Sequence, residues 1–250
     1  MSRFLECRKI SKVFGGIKAL NNVSLSVAPH SIVGVIGPNG AGKTTLFNII
    51  SGSLLPSTGE VIFKGKRISG MGPARVCRLG IARTYQLVRP FNSLSAMENV
   101  MIGLAFGRAE PVARRARVAE AFKILQMVGL EGKTNHAAEG LTLVEKKHLE
   151  IARALATAPQ ILLLDEVVSG LNPTEITRTV DTIKQIQKRG ITIIMVEHIL
   201  KVVMALCERV VVLNYGVQIA EGTPEQVVLD EAVIEAYIGS FEDAEEKPHA

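Results

Sequence analysis

The sequence predicts an α/β fold: a core with a mostly parallel sheet, a flanking antiparallel β-subdomain and an inserted helical subdomain. Three observations lead there. Short β-branched runs alternate with longer periodic stretches, the order that builds a parallel sheet covered on both faces. The stretch 90–157 carries helical patterns with no convincing strand between them. Residues 3–30 and 57–68 alternate in the manner of hairpin strands.

The elements follow in order. Strand-like runs are "SIVGVIG" (31–37), "QILLLD" (160–165), "ITIIMVE" (191–197) and "RVVVLN" (209–214), with helix-like pieces at 43–51, 174–189 and 199–207. Gly52 and Gly190 stand where a left-handed residue would stop a helix, and Pro173 stands where the next one begins. Within 90–157, "SAMENVMIGLAFG", "VARRARVAEAFKILQMVG" and "VEKKHLEIARALAT" read as helices. In the last of these, Leu149, Ile151 and Leu155 fall near one face, with Glu150 and Arg153 elsewhere. The expected organisation is one domain over 1–250: a core from 1–89 and 158–240, helices over 90–157, and a charged flexible tail over 241–250.

Composition narrows the function. Hydrophobic residues are 47% of the 250, but they come in short runs, and nowhere do they reach the eighteen or so that a membrane span requires. The start "MSRFLECRKISKVFGG" lacks the apolar stretch of a secretory signal. Cys7, Cys77 and Cys207 are scattered and odd in number, which fits a reducing, cytosolic compartment. A net charge of +5 suits nucleic acid, anionic lipid or a phosphorylated ligand. Aromatics at 4%, with no tryptophan, supply single-strand stacking poorly. The basic cluster "RRAR" (114–117) reads as a solvated helix face.

"GPNGAGKTT" (37–45) fits G-x-x-x-x-G-K-[ST], with an apolar strand running in and a helix running out. Gly37, Pro38, Asn39, Gly40, Ala41, Gly42, Lys43, Thr44 and Thr45 form this phosphate loop. Its glycines let successive N–H groups and a helix N-terminus face a nucleotide's phosphates. Lys43 adds a cation beside the β and γ phosphates, and the Thr44 hydroxyl is placed to ligate magnesium. "ILLLDE" (161–166) is an apolar strand closed by two carboxylates. Alternation points Asp165 and Glu166 in different directions, so one can hold magnesium through water while the other orients the attacking water. His198 lies just beyond a third apolar strand, and strand ends in an open parallel sheet share one crevice. Thr44, Glu166 and His198 are therefore expected to converge on phosphate, whereas His30, His136 and His148 have no such support.

Phosphate loop, "ARTYQ", "LTLVEKKHLEIARAL", "ILLLDE", "SGLN" and "VEH" come in an order that resembles the ATP-binding subunits of ABC transporters, over nearly the whole chain. "KVFGGIKALNNVSLSV", "IARTYQLVRPFNSLSAMENVMIG", "GLNPTE" and "IAEGTPEQVV" are similar to the branch serving importers of branched-chain and other hydrophobic amino acids. The resemblance implies the ABC ATPase fold, ATP and Mg2+ as ligands, and hydrolysis coupled to import. It implies that Phe14 stacks on adenine, that Gln86 touches magnesium or the lytic water, and that Asp165 holds the metal shell. Glu166 would be the general base and His198 would contact the γ phosphate. Metal contacts would thus be Thr44, Gln86 and Asp165. Implied partners are transmembrane permease subunits, a second ATP-binding subunit and, indirectly, an extracytoplasmic solute-binding protein, with no nucleic acid. The implied location is peripheral, on the cytoplasmic side of the inner membrane.

The sequence departs from the family at three places. The segment 141–145, "LTLVE", stands where the family usually reads LSGGQ and closes over ATP held by the opposite subunit. Thr142 keeps the hydroxyl, while Leu143 and Val144 replace both glycines and Glu145 replaces glutamine. Unless its carboxylate faces away, Glu145 should weaken that closure by like-charge repulsion. Either the helix N-terminus and Thr142 suffice and this segment still works, or it forms the weaker half of an asymmetric pair. The resemblance favours a heterodimer over a homodimer, since such importers often pair two unlike ATP-binding subunits. Asn172 stands where aspartate is more usual, and Val167 where proline is, a change expected to alter loop stiffness more than chemistry. Two alternatives remain: a nucleotide-gated dimerising subunit with little hydrolysis, and a soluble ABC-type ATPase acting on nucleic acid.

Overall fold

The computed structural model describes residues 4–86, 89–110 and 112–237. The expected flexible tail, 241–250, lies outside the described residues. The chain divides into two compact units, one formed by Met1–Gly70 with Met195–Ala250 and the other by Met71–Ile194.

The first unit opens with β1 (Leu5–Phe14), β2 (Ile17–Val27), β3 (Ile32–Ile36), α1 (Lys43–Ile50), β4 (Thr58–Phe63) and β5 (Lys66–Arg67). The second holds α2 (Pro73–Arg78), β6 (Ile81–Arg83), α3 (Ala96–Ile102), α4 (Arg117–Met127), α5 (Leu143–Ala156), β7 (Ile161–Asp165) and α6 (Pro173–Lys188). The division falls inside β8 (Thr192–Val196). The chain then returns to the first unit through α7 (Leu200–Leu206), β9 (Arg209–Asn214), β10 (Val217–Gly222) and α8 (Pro224–Val228).

In the first unit, β2-β1-β4-β5 form an antiparallel sheet, the expected hairpin material. There β3 pairs parallel with β9, and β10 closes that edge antiparallel. β3 is buried at every position, as an apolar strand must be to gain from both sheet faces.

The second unit has β7 between β8 and β6, with β6 and β7 parallel from Ile81↔Ile161 to Arg83↔Leu163. β7 is buried throughout. The expected helices over 90–157 are α3, α4 and α5, which pack on one another. "RRAR" is exposed at Arg114 and Arg115, as a solvated face should be. Gly52 and Gly190 take φ of 76° and 86°, and Pro173 is the first residue of α6.

The helical spacing of α5 put Glu150 and Arg153 off the apolar face, and they are not idle there. Both turn toward the segment that follows β6: the Glu150 carboxylate accepts the Tyr85 N–H at 3.0 Å, and Arg153 donates to the Arg89 carbonyl at 2.8 Å. The Arg153 guanidinium also lies 4.7 Å from the Phe91 ring centroid, within cation–π range.

Candidate functional site

The candidate residues fall on both units, and each group is built locally. In the first unit β3 delivers the chain into the phosphate loop. Gly37 enters at φ 144°, and a Cβ there would stand 2.0 Å from the Leu213 carbonyl oxygen on β9. Gly42, at φ 100°, is the N-cap of α1, and a Cβ there would meet the Ala19 carbonyl at 2.5 Å. No side chain is tolerated at either point, so the loop lies tightly against its own unit. The Ala41 carbonyl accepts the Gly216 N–H at 3.1 Å, and the Gly216 carbonyl accepts the Asn21 N–H at 2.8 Å, which ties the loop to the β9–β10 turn and β2.

The N-terminus of α1 has no side-chain cap and no acid in its first turn, so its positive dipole end suits an anion. Gly40 has open space where a Cβ would sit. Lys43, 8% exposed, spans the loop by donating to the carbonyls of Gly37 at 2.6 Å and Pro38 at 2.7 Å. Thr44 is exposed at the helix start. Phe14, at the end of β1, is 46% exposed with the Lys12 ammonium 5.0 Å from its ring centroid, so it is not a core residue. His198 is exposed just past β8, beside the buried Glu197.

In the second unit the two carboxylates diverge as alternation predicted. Asp165 is 3% exposed and pairs with Arg83 on β6, guanidinium to Oδ2 at 2.7 Å. Its backbone N–H donates to the Thr84 hydroxyl at 3.1 Å. Glu166 leaves the strand at φ 49°, a left-handed conformation costly for a residue with a Cβ. Its Oε2 accepts from the Gln86 amide at 2.8 Å. Its carbonyl accepts from the Lys147 ammonium at 3.0 Å and from the Ser169 N–H at 3.2 Å. Gln86 and Glu166 are thus brought together. Sequence reasoning missed Arg83, Lys147 and Glu150, whose partners lie elsewhere in the chain and leave no periodic signal.

The LTLVE segment makes the turn into α5. Thr142 is the N-cap: its Oγ1 accepts the Glu145 N–H at 3.4 Å, and the Glu145 carboxylate accepts the Thr142 N–H at 2.9 Å. Glu145 also pairs with Lys133 at 3.5 Å. Partial burial works to raise its pKa, but the bond from Thr142 and the charge of Lys133 outweigh it and hold the carboxyl below its ordinary value. The carboxylate is thus engaged by its own helix N-cap and by Lys133. Leu143 is left 49% exposed. Asn172 builds an equivalent capping box with Glu175 on α6. Val167 is buried.

Residues 20–169 match the family described as ABC transporter, and residues 217–243 match a second model described as branched-chain amino acid ATP-binding cassette transporter. The chain belongs to the ABC transporter family. It is 38% identical to the Escherichia coli (strain K12) high-affinity branched-chain amino acid transport ATP-binding protein LivG, over 90% of this chain and 94% of that one. It is 37% identical to the corresponding BraF protein of Pseudomonas aeruginosa, over 96% and 99%. The ADP conformation of an ABC transporter cassette superposes on it with a TM-score of 0.87 at 33% identity, covering 96% of this chain and 100% of that one. The expected fold, an ABC ATPase cassette, is therefore correct, and neither of the two alternative functions is favoured by these relatives.

Whether this cassette's side chains suit magnesium can be judged from their donors. Thr44 offers a hydroxyl, Gln86 the amide oxygen opposite the nitrogen given to Glu166, and Asp165 the carboxylate oxygen not bonded to Arg83. All are hard oxygen donors, as magnesium prefers. Among the described residues no group of three or more His, Cys, Asp or Glu could hold a metal.

Proposed function

We propose that this chain is the ATP-binding and ATP-hydrolysing subunit of an importer for branched-chain or other hydrophobic amino acids. The observation that carries the proposal is the phosphate loop: a buried strand, glycines with no room for a side chain, an uncapped helix N-terminus and a buried lysine across the loop. In the proposed mechanism the N–H groups of 37–45 cradle the phosphates, and Lys43 exchanges its two carbonyl partners for β and γ oxygens. Phe14 supports adenine, and His198 contacts the γ phosphate. Thr44, Asp165 and Gln86 would hold magnesium, which neutralises charge developing on the phosphates. Glu166, aimed by Gln86, takes the proton of the attacking water.

The partners in this reading are membrane-spanning permease subunits, with a solute-binding protein on the far side. The chain would act on the cytoplasmic side of the inner membrane. No helix among the described residues is long and apolar enough to cross a membrane. A second, unlike cassette completes the pair, because the LTLVE turn presents Leu143 and Val144 where small residues would let backbone approach phosphate. Thr142 and the N-terminus of α5 face the opposite nucleotide.

Uptake of radiolabelled branched-chain amino acids tests this in cells that carry the chain and its neighbours. Lys43→Ala should abolish the uptake, and uptake at the unmodified rate would contradict the proposal. Membranes from the same cells, extracted and captured through this chain, should yield a distinct second cassette. Recovery of this cassette alone would contradict the heterodimer.

A further inference from the structure

We infer that Lys147 and Glu150 on α5 are positioning residues for Glu166, so that the helix capped by the LTLVE turn also holds the hydrolytic carboxylate in its working pose. The inference rests on the reading of Glu166 as general base. The two contacts reach Glu166 by independent routes within the second unit.

The first route is through the backbone. Lys147 is 5% exposed, an unusual place for an ammonium, and it donates to the Glu166 carbonyl at 3.0 Å. Glu166 needs such support, since its φ of 49° lies in a region that residues with a Cβ rarely adopt. Fixing the carbonyl fixes the peptide plane from which the side chain departs.

The second route is through Gln86. The Glu150 carboxylate accepts the Tyr85 N–H, and the next residue, Gln86, donates its amide to Glu166 Oε2 at 2.8 Å. Arg153, one turn farther along α5, holds the Arg89 carbonyl. The segment after β6 is therefore fastened to α5 on both sides of Gln86. A shift of α5 driven from its N-terminus would move the backbone of Glu166 and its amide donor together. That gives the capped end of the helix a mechanical route to the site of chemistry.

The test compares Lys147→Met, Glu150→Ala, Glu150→Gln and Glu166→Gln in the full chain co-purified with its membrane partners. ATP turnover, KM for ATP and melting temperature are read for each. Asp181→Asn, on an exposed position of α6, serves as the unaffected control. Lys147→Met and Glu150→Ala should lower kcat about ten- to a hundredfold with KM for ATP held within about twofold, because orientation and not binding is lost. Glu150→Gln keeps an acceptor for the Tyr85 N–H and should recover most of the loss. Adding Lys147→Met to Glu166→Gln should cost nothing further, as both act on one group. Unchanged kcat in Lys147→Met and Glu150→Ala, beside an inactive Glu166→Gln, overturns the inference alone. Losses confined to KM, or equal in Glu150→Gln and Glu150→Ala, overturn it too. Full turnover in Glu166→Gln removes the base reading and this inference with it. Should Lys147→Met not fold, the Glu150 pair decides.

Discussion

Burial pushes the carboxyl of Glu150 up to about 7, against the bond from Tyr85 and the charges of Arg153 and Lys147, with Asp165 adding to the rise. An unfolded chain gives up that proton at an ordinary carboxylate pKa, while the folded chain keeps it until near neutrality. Folding thus binds a proton across that window, and the contribution of Glu150 to stability falls as pH rises from about 4.5 to about 7. Glu150→Gln carries no titrating proton, so its melting temperature should gain on that of the parent as pH is raised from 5 to 8. A constant difference across that range would contradict the assignment. His148 works in the opposite sense: burial lowers its pKa while the Val128 backbone and the charges of Glu145 and Glu175 oppose that, and Nε2 sits 3.0 Å from the Thr179 hydroxyl. A histidine kept neutral costs stability as pH falls below about 6.5. Neither effect was legible in the sequence. Arg83 meets Asp165 across 82 positions, Glu150 meets Tyr85 across 65 and Lys147 meets Glu166 across 19, and no periodicity encodes such pairings.

At the scale of elements, what repeats locally was readable and what is short was not. The runs 160–165, 191–197 and 209–214 became β7, β8 and β9 with ends shifted by a residue or so, because a short buried apolar run bounded by polar residues has few alternatives. β6 has three residues, too few to show any period, and β10 reads "VQIAEG", an edge strand with polar residues on it. The phosphate loop was readable because its glycines, lysine and threonine are consecutive. The capping box of α5 is also written locally, as Thr142 with Glu145 three residues on, and it accounts for the hydroxyl and the acid at the two ends of this turn. Thr142→Ala should cost about 1 kcal/mol, the usual value of an N-cap, and lower the melting temperature by about 2–4 °C. A melting temperature within half a degree or so of the parent, under the same scan, would show that the cap does not stabilise α5.

For the whole molecule, two compact units each carry part of what ATP hydrolysis requires. The first supplies a loop shaped for phosphates, with Lys43 buried across it. The second supplies Asp165 locked to Arg83 and Glu166 held by Gln86 and Lys147. Burial of aliphatic side chains, each contributing about 1.5–3 kcal/mol, stabilises the strands that end in these groups. The same burial is what allows a left-handed glutamate and a buried lysine to persist. The central claim is that Glu166 acts as base on ATP held by the phosphate loop. Its most direct test is to measure ATP binding and ATP turnover side by side in the chain and in Glu166→Gln, both assembled with their membrane partners. The account predicts unchanged binding with turnover reduced about a hundred- to ten-thousandfold, whereas undiminished turnover by Glu166→Gln would contradict it.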